Sequence, residues 1–162
     1  MTANSELQTA FIESPLGTLM LVGNEAGLQK LLVSENETPS AKIPESLQET
    51  ASQLDSYFKG KRSDFDLKLN PQGTDFQKQV WKQLLDIPFG KTTTYLDMAK
   101  RLGDPKTIRA AASANGKNPI MIIIPCHRVI GSDGSLTGYA GGLWRKQWLL
   151  EHESPVVQQK LF

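Results

Sequence analysis

The chain has 162 residues, 39% of them hydrophobic and 22% charged, with a net charge of +1, which fits a globular protein of one large or two small domains. No apolar run approaches the roughly 20 residues needed to cross a bilayer, and the opening MTANSELQTAF lacks the basic-then-apolar pattern of a secretory signal. One cysteine and two histidines exclude an internal disulfide and a closed structural zinc site, and they point to a reducing cytoplasm.

TAFIES, TLMLVG and LQKLLVS are short strand-like runs separated by SPLG and NEAG turns, the spacing of an antiparallel meander. Leu47, Ala51, Leu54 and Phe58 then recur at helical spacing before Gly60. DFDLKLN alternates Phe65, Leu67 and Leu69, as a half-buried strand should. Residues 1–70 group no polar chemistry and are read as a small α/β scaffold domain. NPQG marks the boundary, and residues 74–162 form the second domain.

Thr74 and Gln77 make a capping box, and the helix they open carries an apolar face of Phe76, Val80, Leu84, Trp81 and Leu85. A second helix runs through TTYLDMAKRLG with Leu96, Ala99 and Leu102 inward and Gly103 as its stop. Asp104 and Pro105 then open a third helix, KTIRAAASANG. Two short helices about a tight turn fit either a helix-turn-helix or a plain helical hairpin. The predicted architecture is therefore α+β: a small N-terminal antiparallel sheet with a helix, followed by a mostly helical domain.

The charge is uneven. Residues 1–70 hold 6 Lys/Arg against 10 Asp/Glu, while residues 71–162 hold 12 against 7. A basic half suits a polyanion, or is an ordinary solvated surface. The third helix presents Ala110, Ala111, Ala112, Ser113 and Ala114, which offer almost nothing to base edges but allow close approach of the helix to a surface. Any DNA contact through this face would have little sequence preference. Arg109 is the long cation at its start.

Cys126 lies in IIIPCHRVIG. A lone cysteine is commonly a small buried hydrophobe. Here Pro125 breaks the apolar run, so that Cys126 is expected where the chain leaves the core. His127 and Arg128 bring charge that favours a thiolate. Adjacent residues on an extended chain point apart, so Cys126 and His127 can cooperate only through a bend or a bridging water.

IPCHRVIG, with NP upstream and GYAGG…LLEHE downstream, resembles the O6-alkylguanine–DNA alkyltransferases, the methylated-DNA–protein-cysteine methyltransferases, over about Thr74 to Glu153. The resemblance of SPLGTL to the family's N-terminal domain is looser. The resemblance implies a helix-turn-helix that enters the minor groove of double-stranded DNA and a protein that flips an O6-alkylguanine out of the stack. It makes Cys126 the alkyl acceptor and His127 the group that draws off its proton through a water. Glu153, with Glu151 as a nearby competitor, would orient His127. Asn118 would tie the DNA-binding helix to the active segment, and Tyr95 would protonate the leaving guanine at N3. Arg109 would fill the gap left in the duplex, with Thr94, Ala110, Ser113, Ala114 and Arg128 also toward DNA. Val129, Tyr139, Ala140, Gly141 and Lys146 would join Tyr95 around the base.

The implied product is a thioether, which offers water no activated carbonyl, so each molecule acts once. The family's reaction uses no cofactor or metal, and a monomer is expected; O4-alkylthymine is a further possible substrate. Three rival readings carry their own signatures. A helix-turn-helix protein that only binds lesions or DNA leaves Cys126 unreacted, a redox regulator needs sequence-specific binding, and a cysteine hydrolase turns over.

Overall fold

A computed structural model describes residues 6–136 and 138–154; residues 1–5, Thr137 of the glycine-rich loop and residues 155–162 lie outside the described residues, although the expected domains include them. The chain divides into two compact units, 1–72 and 73–162.

In the first unit, β1 (Gln8–Ile12), β2 (Leu19–Asn24) and β3 (Gly27–Val33) form an antiparallel meander in the order β1-β2-β3. Alternation buries one face: Ala10 on β1, Leu19 and Leu21 on β2, Leu28 and Leu31 on β3. Helix α1 (Glu45–Phe58) lies against β1 and β2. Its buried row is Leu47, Thr50, Leu54 and Tyr57, with Gln53 beside it, whereas Ala51 and Phe58 are only half-buried. The inward face is thus turned from the expected one, and the Tyr57 ring occupies the place given to Phe58, 5.4 Å from the Phe65 ring.

The segment expected as a fourth run of strand, residues 64–70, is not one. Phe65, Leu67 and Leu69 do alternate with exposed Asp66 and Lys68, but β pairing is limited to a single parallel bridge, Leu28 to Leu69. The reason is a side chain. Gln53 Oε1 accepts from the Asp66 N–H (2.9 Å) and Gln53 Nε2 donates to the Asp66 carbonyl (3.1 Å), so a glutamine amide stands in for a neighbouring strand.

The second unit opens with α2 (Asp75–Leu84). Its capping box is complete: Thr74 Oγ1 accepts from the Gln77 N–H and Gln77 Oε1 from the Thr74 N–H. Val80, Trp81 and Leu84 are buried, while Phe76 is half-buried and Leu85, at the end of the helix, is 47% exposed. The two-residue β4 (Thr93–Thr94) leads into α3 (Tyr95–Arg101). Met98 and Ala99 face the core, rather than Leu96 and Leu102, which are half-buried.

Asp104 caps a 3₁₀ turn, Pro105–Thr107, by accepting from the Lys106 N–H, and α4 (Ile108–Gly116) follows. The expected third helix therefore starts as a tighter turn, and α3 and α4 pack against each other on either side of it. Trp81 Nε1 donates to the Ala114 carbonyl (2.8 Å, buried), fastening α2 to α4. β5 (Val129–Ile130) pairs in parallel with β4, and α5 (Leu143–Glu153) ends the described chain. No described helix is long and apolar enough to cross a membrane.

Candidate active site

Between α4 and β5 the chain makes two three-residue turns in quick succession. Ile122 has φ +71°, and the Ile123 N–H donates across it to the Met121 carbonyl (2.7 Å). This is a γ-turn of the rare positive-φ kind, at a β-branched residue, and costs on the order of 1–3 kcal/mol. Pro125, at φ −82° and ψ 63°, makes the inverse turn, spanned by the Cys126 N–H to the Ile124 carbonyl (2.8 Å). Asn118, buried at the end of α4, holds both. Its Nδ2 donates to the Ile124 carbonyl (2.7 Å) and its Oδ1 accepts from the Ile120 N–H (2.9 Å). Cys126, His127 and Arg128 then form one 3₁₀ turn. This is the bend the adjacent cysteine and histidine needed.

The turn is buried, not at the edge of the core as expected: Cys126 is 5% exposed and His127 fully enclosed. Burial pushes the Cys126 thiol up to about 11; a hydrogen bond with Asn118 and the charge of Lys146 oppose the rise without cancelling it. The sulfur is therefore a thiol at neutral pH. His127 and Arg128 do not make it a thiolate, because their polar atoms are directed elsewhere.

Those atoms go to Glu153. His127 Nε2 lies 2.9 Å from Glu153 Oε2, and the Arg128 guanidinium forks onto the same carboxylate, Nε to Oε1 at 2.8 Å and Nη2 to Oε2 at 3.0 Å. Arg128 Nη1 donates to the Ile87 carbonyl at 2.6 Å. Arg128, expected to touch DNA, is therefore buried inside the unit; a guanidinium with this many partners is stable away from water. Burial disfavours the charge on Glu153, but the hydrogen bonds and charges of His127 and Arg128 outweigh it and hold the carboxyl at about 2. Glu151 is not the partner; it is exposed and accepts from Gln147.

An ionised Glu153 can only accept, so His127 Nε2 must carry the proton. Burial lowers the His127 pKa despite Glu153, and the ring is neutral near pH 7. Its Nδ1 is then a bare base, buried, with no protein partner among the described residues. The arrangement is a thiol and an oriented imidazole on one turn, with the imidazole backed by a fixed carboxylate.

A cavity of about 610 Å³ lies beside α3 and α4, lined by Tyr95, Ile108, Arg109, Ala112, Tyr139 and Ala140 among others. The structure thus brings Tyr95, Arg109, Tyr139 and Ala140 to one hollow. Cys126, Val129, Gly141 and Lys146 are buried and do not line it. Lys146 Nζ donates to the Val129 carbonyl (2.6 Å) and sits 5.7 Å from the Tyr95 ring centre; burial lowers its pKa. A Cβ on Gly141 would come within 2.8 Å of Met121 Cε and 3.0 Å of the Tyr139 ring, so the loop runs close to both side chains and a larger residue would have to displace them.

The alanine face needs correction. Ala110 and Ser113 are exposed beside Arg109 and Ala112 is half-buried, but Ala111 and Ala114 point into the core, where Ala114 meets α2. Thr94, expected toward DNA, uses its hydroxyl to cap α3 by accepting from the Asp97 N–H. The sequence reading missed two structural contributors, the Ile87 carbonyl under Arg128 and Arg145, whose Nη1 donates to the Gly141 carbonyl (2.8 Å). Neither carries a local signal.

Two family models match: 6-O-methylguanine DNA methyltransferase, ribonuclease-like domain, over residues 7–71, and 6-O-methylguanine DNA methyltransferase, DNA binding domain, over residues 75–155. A methylated-DNA–protein-cysteine methyltransferase of Methanosarcina barkeri is 53% identical over 148 residues, 88% of this chain and 94% of that one. The crystal structure of Mycobacterium tuberculosis O6-methylguanine methyltransferase superposes with TM-score 0.82 at 41% identity, covering 97% of this chain and 100% of that one. The Mycobacterium tuberculosis OGT crystallised in complex with DNA gives 0.82 at 43%, covering 95% and 99%.

Proposed function

Because the chain belongs to the 6-O-methylguanine DNA methyltransferase family, we propose that it repairs DNA by direct reversal, moving the alkyl group of O6-alkylguanine to Cys126 once per molecule. The observation that carries this reading is the placement of a buried thiol and a carboxylate-oriented imidazole with a bare nitrogen on the same turn.

In this reading the lesion is rotated out of the duplex into the hollow beside α3 and α4, at a cost of a few kcal/mol of unstacking. Arg109 takes its place in the stack, suited to it by a planar guanidinium that can both stack and donate. His127 Nδ1 receives the Cys126 proton through a bridging water, and Glu153 stabilises the resulting imidazolium. The sulfur attacks the alkyl carbon, the S–C bond forms as the C–O bond breaks, and the electron pair leaves with guanine. Tyr95 supplies a proton at N3, so that guanine does not depart as an anion. Tyr139 and Ala140 line the base site, and Val129, Gly141 and Lys146 support it from the buried side. Activation occurs when substrate is bound, which suits a thiol whose resting pKa is about 11.

Residues 74–162 perform the reaction and residues 1–70 act as scaffold. The substrate is double-stranded DNA read with little sequence preference, since the exposed part of α4 offers Ala110 and Ser113 to it. The protein works as a monomer in the cytoplasm, without cofactor or metal. The test is intact-protein mass spectrometry after incubation with excess O6-methylguanine duplex. One CH2 per chain on Cys126, and none on Cys126→Ser, is expected. Sustained turnover, or an unchanged mass, overturns the proposal.

A further inference from the structure

Trp144 is an exposed residue with an enclosed partner. The ring is 53% exposed, the most of any large apolar side chain described, yet it sits at the start of α5 directly after the glycine loop. Arg145, next in sequence, is buried, and its guanidinium carbon lies 4.4 Å from the Trp144 ring centre. The other end of that guanidinium donates to the Gly141 carbonyl at 2.8 Å. The arginine stem also runs along the loop, with Cδ 3.4 Å from where a Gly141 Cβ would stand. One planar cation is therefore held by a ring on one side and holds the loop on the other. Arginine suits this better than lysine, because its flat guanidinium can stack on the ring while an N–H at its edge reaches the carbonyl.

The loop so held is the one that builds the wall of the hollow. Tyr139 and Ala140 line it. The Gly142 N–H donates to the Tyr139 carbonyl (2.9 Å), and the Gly142 carbonyl accepts from the Arg145 N–H (3.2 Å). Gly142 has φ +91°, which a side chain would resist, so this stretch has little intrinsic stiffness of its own.

We infer that Arg145, clamped by Trp144, is a positioning residue that fixes the Tyr139–Gly142 loop as the wall against which the extrahelical base is placed. The inference rests on the proposed function for its chemical consequence, but not for the clamp itself. It also accounts for a tryptophan kept at the surface.

The experiment compares Trp144→Ala, Trp144→Phe and Arg145→Lys with the unmodified protein. Amide hydrogen exchange at Gly141 and Gly142 reads the clamp. Single-turnover methyl transfer from an O6-methylguanine duplex, over a range of DNA concentrations, reads its consequence. Trp144→Ala should exchange about five- to tenfold faster at these amides, the size of a lost cation–π contact. Its maximal transfer rate should fall by a similar factor while the half-saturating DNA concentration stays put. Trp144→Phe should restore both, and Arg145→Lys should not. Unchanged exchange in Trp144→Ala, or faster exchange with an undiminished maximal rate, overturns the inference. If the unmodified protein transfers nothing, the proposed function fails, and the exchange measurement alone still decides the clamp.

Discussion

Replacing Glu153 with glutamine removes one charge from a group that three donors address. His127 Nε2 and Arg128 Nη2 converge on Oε2, and Arg128 Nε reaches Oε1. A glutamine keeps one acceptor and turns an NH2 toward donors, leaving Arg128 as a buried cation without a counter-charge. Removing one member of a buried pair costs about 3–5 kcal/mol. Linkage gives a second route to the size. The carboxyl is held at about 2 against an ordinary 4.5, and at about 1.4 kcal/mol per pH unit this depression is worth on the order of 3 kcal/mol.

The sign follows from the depressed value. The stabilisation is complete above pH 4.5 and is lost as pH falls toward 2, where the native carboxyl also takes a proton. Urea unfolding of Glu153→Gln and the unmodified protein from pH 7 to pH 2 is the assay. The gap should be a few kcal/mol at pH 7, begin to narrow below pH 4.5 and nearly close by pH 2. His127, buried neutral, adds a loss below pH 6.5, and taking the difference between the two proteins limits its weight. A gap under about 1 kcal/mol at pH 7, or one that does not narrow in acid, refutes the reasoning that this carboxylate is a buried, charged keystone.

Trp81→Phe removes the donor to the Ala114 carbonyl and leaves a smaller ring in a buried site, and should cost at least about 1–3 kcal/mol in chemical unfolding. Asn118→Ala orphans the buried Ile120 N–H and removes one of two donors from the Ile124 carbonyl; a loss of about 2–4 kcal/mol is expected, and Asn118→Asp, which sets a buried carboxylate oxygen against the Ile124 carbonyl, should lose at least as much. The methyl-transfer rate should hold steady from pH 8 to 6.5 and fall only below that, because burial lowers the pKa of His127, the base proposed above; a fall beginning above pH 7 counts against His127 in that role. Arg109→Ala should slow transfer from duplex DNA at least tenfold while leaving the melting temperature within about a degree, since Arg109 is exposed and anchors nothing in the core.

What the sequence made legible was mostly local. The Thr74–Gln77 capping box, the Asp104 cap and the meander of β1 to β3 are each decided within a few residues, and each is present. The inward faces were harder. A stretch such as RAAASA carries no contrast between apolar and polar sides, so nothing in it says that Ala111 and Ala114 go inward; Trp81, over 30 residues away, decides that. Residues 65–69 alternate correctly, yet the partner that completes them is a side-chain amide on α1, a pairing that no strand pattern contains. The resemblance places Arg128 toward DNA, and only Glu153, 25 positions on, draws it inside instead. The thiol was misjudged for a related reason: its charge state follows from how deeply the turn is buried, and adjacent cations in the sequence do not report depth.

The carboxylate that closes this site is also the last residue of α5. During synthesis the nucleophilic turn leaves the ribosome well before its counter-ion does. Until Glu153 emerges, Arg128 has no anion to accompany it into the interior, and the segment carrying Cys126 cannot settle. The first unit, which ends near residue 72, can condense meanwhile. Settling of the turn that carries Cys126 is thereby coupled to completion of α5, so a product cut before that final helical turn would leave Arg128 without its counter-charge.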